Sequence, residues 1–236
     1  MHEDGTGATK LARSMGVKHV SSFLAGVDGE LFNPFKVSIE QSRFALGLPQ
    51  EKFIIGMIGR IDRLKGVLEV VKSFLETARP GELLVIAGEA NNSSYYSRLI
   101  QIIETHQNSQ QVIFIGPMPH QEVPSFLAAC DLLVFNSSFS NFHLALAETL
   151  MMGRASLVRD AGVDVIKEEL LSCGSVKLYS NEDDELRRAL EEARRGTSKE
   201  RFSEQEHFLA VSLFGWDKVL GTIENAYAKT LLGHSK

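Results

Sequence analysis

Cysteine, tryptophan and long apolar runs are scarce in this chain of 236 residues, which has two cysteines, one tryptophan and six prolines. Cys130 and Cys173 lie in different expected elements and make no metal-ligand spacing, so they read as reduced core residues rather than a disulfide or a zinc site. No stretch reaches the roughly 18 apolar residues that a membrane span requires. Met1-His2-Glu3-Asp4 is too polar for a signal peptide. There is no long basic run and the net charge is −5, which argues against nucleic acid as the main partner. A Walker motif and a GxGxxG turn are both missing, which leaves nucleotide triphosphatase and dehydrogenase readings without support. The histidines show no metal-binding spacing, and no metal is expected. Internal repeats, low-complexity tracts and glycine-serine linkers are also lacking. What remains is an ordinary globular composition, 44% apolar and 23% charged, and the expectation of a cytoplasmic protein.

From Phe53 onward, apolar runs and amphipathic stretches alternate at short intervals. Strands are expected at Phe53–Ile58, Leu83–Ala87, Val112–Gly116, Leu132–Phe135, Ala155–Val158 and Val176–Tyr179. Helices are expected between them at Val67–Glu76, Ser94–Thr105, Val123–Ala129, Phe142–Met152 and, briefly, Val165–Leu170. Charged amphipathic helices follow at Glu182–Arg195 and Lys199–Leu213, with a last helix from Trp216 to about Leu232. Strands that are apolar throughout, rather than alternating, imply a sheet covered on both faces. The fold class is therefore α/β, with a doubly wound parallel sheet and C-terminal helices.

The first 50 residues fit this scheme poorly. They read as a helix at Thr9–Met15, a strand at Val17–Leu24, a turn at Gly26-Val27-Asp28 and a short helix at Gln41–Leu48. We read them as the tail of a larger unit, followed by a Rossmann-like domain over residues 51–215 and a C-terminal helix over 216–236.

In an open parallel sheet, ligands sit beyond the carboxyl ends of the strands. Arg60 and Lys65 flank the turn after the first strand, beside the positive end of the next helix, where a diphosphate is easily held. After the fourth strand, Ser137-Ser138-Phe139-Ser140-Asn141 is a small polar loop leading into a helix, with hydroxyls and free N–H groups for an anion. Glu148 stands on that helix among Ala145, Leu146, Ala147, Leu150 and Met151, where burying a carboxylate requires a hydrogen-bonding partner. A pair of ribose hydroxyls or the side chain of Arg154 would serve. His143 could donate to a ligand oxygen or merely fill space at the helix start. His120 reads as a turn residue.

Taken together, these segments resemble the C-terminal, nucleotide-sugar-binding half of retaining glycosyltransferases of the GT-B fold. That group includes many mannosyl-, glucosyl- and N-acetylglucosaminyltransferases of cell-surface polysaccharides. The resemblance rests on GRIDRLKG (Gly59 to Gly66), on SNFHLALAE (Ser140 to Glu148) against the family's Glu-x7-Glu element, on VIAGE (Val85 to Glu89), on the block from Ile115 to Phe135 and on the helix around Trp216. GVDGELFNP (Gly26 to Pro34) is similar to the segment that crosses between the family's two domains.

The resemblance implies a Rossmann-like domain that binds a nucleotide-sugar donor without a metal or other cofactor. Arg60 and Lys65 would bind the diphosphate and stabilise the leaving group, and Glu148 would accept the ribose hydroxyls. Gly59, Ser140, Asn141, Phe142, His143 and Leu144 would line the phosphates and sugar, and Met118 the base. Two positions depart from the family pattern. Ser140 stands where the family has its first acid, and His143 where it has a glycine. The acceptor domain of the family is represented only by the segment from Asp4 to Leu24.

Two functions are therefore expected, a donor-binding half of a glycosyltransferase or a non-catalytic nucleotide-sugar-binding or scaffolding module. An epimerase or phosphorylase of the same fold matches the spacing less well. A partner chain supplying the acceptor domain, or self-association, is also expected.

Overall fold

The six-residue run FIIGMI at 53–58 has no polar side chain and no β-breaking proline, and its middle four residues are buried. It forms β1 (Phe53–Ile58) at the centre of a six-stranded sheet in the computed structural model. The other strands are β2 (Glu82–Ala87), β3 (Val112–Gly116), β4 (Leu132–Phe135), β5 (Ser156–Arg159) and β6 (Val176–Tyr179). Their order is β3-β2-β1-β4-β5-β6, and every pairing is parallel. The order reverses between β1 and β4, so the topological switch point lies there. The structure describes residues 7–17, 20, 26–138, 144–160, 171, 175–180, 184–196 and 204–233.

Helices α1 (Gly7–Ser14), α2 (Ile39–Ala45), α3 (Val67–Thr77), α4 (Ser93–Glu104) and α5 (Val123–Ala129) precede β4. Among the described residues, α6 (Leu144–Met151), α7 (Glu185–Gly196), α8 (Glu204–Phe214) and α9 (Trp216–Gly233) follow it. The expected helix at Val165–Leu170 lies outside the described residues, as does most of the expected strand at Val17–Leu24; Val17 and Val20 belong to no strand. The turn expected at Gly26–Asp28 falls instead at 29–31, because Val27 is held by Gly215 in an isolated parallel bridge and its N–H donates to the Phe214 carbonyl.

Successive strand residues serve opposite cores, as the period of two requires. Ile54, Leu83, Val85, Leu133 and Phe135 pack with Phe126, Leu127, Leu146 and Leu150 on one face. Ile55, Leu84, Ile86, Leu132 and Val134 pack with Val70, Phe74, Leu99 and Leu190 on the other. Each fully buried apolar side chain contributes about 1.5–3 kcal/mol.

The foot of the sheet is tied by one guanidinium. Arg43 on α2 is fully buried. Its Nε donates to the Ala129 carbonyl, its Nη1 to the carbonyls of Gln50 and Lys52, and its Nη2 to Asp131 Oδ2 at 2.8 Å. The same carboxylate oxygen accepts the Ile54 N–H at 2.7 Å. One ion pair thus joins α2, the start of β1 and the start of β4. Removing one member leaves the other charge buried, so Asp131→Ala is expected to cost about 3–5 kcal/mol. Equilibrium urea unfolding of the variant beside the parent chain measures this.

Candidate functional site

Three strand-end loops are locked to each other through their backbones. The Gly59 N–H donates to the Ala87 carbonyl, the Ile61 N–H to the Glu89 carbonyl and the Gly88 N–H to the Gly116 carbonyl. At Gly88 φ is +149°, and a Cβ there would fall 1.8 Å from the Gly59 carbonyl oxygen. No other residue permits this approach. The loops after β1, β2 and β3 consequently form one rim along the carboxyl edge of the sheet.

The loop from Gly59 to Gly66 carries the two expected cations. Asp62 organises it: Oδ1 accepts the Lys65 N–H at 2.9 Å, and Oδ2 pairs with Arg60 Nε at 3.4 Å. The Arg60 side chain is 59% exposed, so this pair is weak and the guanidinium can exchange Asp62 for another anion. Lys65 is half-buried. Burial holds its ammonium below the usual lysine range; Asp62 opposes that shift and Arg60 adds to it. The two cations thus sense each other across the same loop, an arrangement that favours binding of a multivalent anion.

The loop is anchored to the far side of the switch point by Asn136, just after β4. The buried Asn136 amide donates through Nδ2 to the Gly66 carbonyl at 2.8 Å and accepts through Oδ1 from the Tyr179 hydroxyl at 2.6 Å. Gly66 has φ +63°, and a Cβ on it would meet Asn136 Nδ2 at 2.3 Å. The Leu64 carbonyl also accepts the Ser138 N–H at 2.9 Å. The structure therefore brings Leu64 and Gly66, at the end of the loop that carries Gly59, Arg60 and Lys65, against the first residues of the β4–α6 loop. Ser140, Asn141, Phe142 and His143 lie outside the described residues. Leu144 opens α6 and is exposed, and Met118 is half-buried against the core beside β3.

Glu148 is buried on α6, as expected, and its partner is a residue that the sequence reading left in a turn. His120 Nε2 lies 2.8 Å from Glu148 Oε1. Arg154, the structural partner weighed for Glu148, stands instead at the opening of β5, close enough to Cys130 for its charge to act on that thiol. His120 could not be found from sequence spacing, because it approaches Glu148 across 28 residues from a different loop. Asp62 was more visible, as a short acid two residues past Arg60 in a turn.

A cavity of about 690 Å³ opens beside the cation loop, between Asp62–Leu64 and Asn92–Arg98; Arg60, Lys65 and Glu148 are not among the residues that line it. Among the described residues, no group of three or more His, Cys, Asp or Glu is placed to hold a metal.

The lowered affinity of Lys65 for its proton has a consequence for stability. Between the folded and unfolded lysine values the unfolded chain binds more protons, so the penalty is full at neutral pH and fades as pH rises toward 10.5. Lys65→Met is expected to raise the urea midpoint at pH 7, with the gain over the parent narrowing by pH 9.5. A variant that is less stable at both pH values would contradict this.

Residues 38–201 match the family model for glycosyl transferases group 1. Among curated proteins, the chain is 26% identical over 131 residues to the uncharacterised glycosyltransferase YqgM of Bacillus subtilis (strain 168), covering 55% of this chain and 36% of that protein. It is 29% identical over 135 residues to D-inositol 3-phosphate glycosyltransferase of Corynebacterium urealyticum, covering 54% and 32%. The chain thus spans about a third of the length of these relatives. Among solved structures, Anabaena Alr3699/HepE in complex with UDP and glucose superposes with a TM-score of 0.78 at 18% identity, covering 98% of this chain and 62% of that one. The C-terminal domain of a glycosyl transferase group 1 family protein (LpcC) from Francisella tularensis gives 0.68 at 23% identity, covering 81% and 100%. The structural likenesses establish a GT-B Rossmann-like fold, and the family match extends over well over half of the residues. The chain belongs to the glycosyl transferases group 1 family.

Proposed function

We propose that this chain is the donor-binding half of a glycosyltransferase that moves a sugar from a nucleotide sugar to an acceptor with retention of configuration. One observation carries the reading: two neighbouring cations, Arg60 and Lys65, on a loop pinned at the switch point of the sheet. As the sugar departs, negative charge grows on the nucleoside diphosphate. Arg60 and Lys65, already placed beside the diphosphate, would stabilise that charge more than the charge of the ground state, which is how fixed cations accelerate transfer. Glu148 would receive the ribose hydroxyls, and Met118 and Leu144 would border the base and the sugar. Gly59, Ser140, Asn141, Phe142 and His143 complete the proposed pocket. The reading assigns charge stabilisation to the two side chains and requires no metal.

Residues 1–50 would link this unit to an acceptor domain, on the same chain or on a partner. Trp216, Leu220, Tyr227 and Leu231 are exposed at helical spacing along α9, and such an apolar stripe supports a covering domain. No helix among the described residues is long and apolar enough to cross a membrane. The reading places the protein in the cytoplasm, in polysaccharide synthesis. Ser140 in place of an acid favours the second reading, a non-catalytic binding module. Transfer by the parent chain with an acceptor half supports the enzyme, and transfer only after Ser140→Glu supports the module.

Calorimetric titration with UDP, GDP and ADP tests the donor site. One of them is expected to bind, with Arg60→Ala and Lys65→Ala each weakening it about tenfold or more, the size of a lost charged hydrogen bond. Absence of binding to all three, or an Arg60→Ala variant equal to the parent, removes the proposal.

A further inference from the structure

We propose that His120 is a positioning residue for the donor site, setting the Glu148 carboxylate in the orientation that receives the ribose. This rests on the donor-binding reading and adds to it a residue from a separate loop. The Glu148 side chain is only 6% exposed, on a helix whose other residues, Thr149 apart, are apolar. A carboxylate there must be hydrogen-bonded to be tolerated. His120 supplies one such bond, to Oε1, and among the described residues nothing bonds Oε2. One oxygen is therefore held while the other stays available to a ligand with hydroxyl donors.

His120 is itself held. Pro119 leads into the short 3-10 turn His120–Glu122, and the imidazole lies against the fully buried ring of Phe32, with centroids 5.3 Å apart. Its side chain is nevertheless 55% exposed, so its own burial does not require the bond to Glu148. The arrangement is that of an orienting group: a ring fixed by packing on one side, holding a buried acid by one oxygen. Phe32 belongs to the segment that follows Val27, so the orientation of the acid also depends on the stretch that leads into the sheet from the N-terminal side.

A ribose without hydroxyls separates this role from a general structural one. Titrations compare the tightest-binding of UDP, GDP and ADP with its 2′,3′-dideoxy form, on the parent, His120→Ala, His120→Gln and Glu148→Gln chains. His120→Ala is expected to weaken the ribonucleotide about tenfold and leave the dideoxy form within about twofold of the parent. His120→Gln, whose amide can donate to the same oxygen, is expected to recover most of the loss. Equal losses for both ligands, or no loss for the ribonucleotide while Glu148→Gln weakens it, overturn the proposal and leave the donor site standing. A parent chain that binds none of the three nucleotides removes both.

Discussion

The hydrogen-bonded amide of Asn136 is the interaction on which the placement of the cation loop against β4 and β6 depends. It stands at the end of β4, receives the Tyr179 hydroxyl from β6 and donates to the Gly66 carbonyl at the entrance of α3. All three partners sit at the carboxyl edge of the sheet, on both sides of the switch point. Gly66 makes the approach possible, since a side chain there would overlap the amide. A buried amide in such a network is worth keeping only if both of its ends are satisfied, and here both are. Losing it would leave the Leu64 carbonyl, which accepts the Ser138 N–H, to hold the cation loop to the β4–α6 connection.

On that anchored loop, electrostatics is arranged for exchange rather than for permanent pairing. Asp62 bonds the Lys65 backbone N–H and reaches Arg60 only at 3.4 Å, in a well-solvated position. Lys65 is held partly out of water beside a second cation, which its ammonium opposes and an incoming polyanion would relieve. The α6 acid is held by other means. It is kept in place by an imidazole, and the imidazole by an aromatic ring. The cation loop and the segment that carries His120 follow β1 and β3, and the loops after β1, β2 and β3 are bonded backbone to backbone.

The base of the sheet is built differently from its rim. Arg43 and Asp131 are both buried, and between them they satisfy the carbonyls of Gln50, Lys52 and Ala129 and the N–H of Ile54. Such a network fixes the relative placement of α2, β1 and β4 without contributing a surface to bind anything. Rigid connections at the amino ends of the strands and ligand-accessible loops at the carboxyl ends are the division of labour that a doubly wound sheet allows.

Much of this was readable from residue order alone. The bounds of β1, β3, β4 and β6 match the expected ones; β1, β3 and β4 are apolar runs, as a strand covered on both faces has no polar positions, while β6 carries an exposed lysine, Lys177. Arg60 and Lys65 were legible too, since a strand-to-helix turn carrying two cations is a local pattern. The sequence by itself therefore determined the fold class, the cation loop and the buried acid. Tertiary structure alone decided which groups meet at that acid and that loop: His120 reaches Glu148 across 28 positions and Asn136 reaches Gly66 across 70. Those distances along the chain are closed by strand order. Strand order is a consequence of packing two cores at once, and no local spacing encodes it.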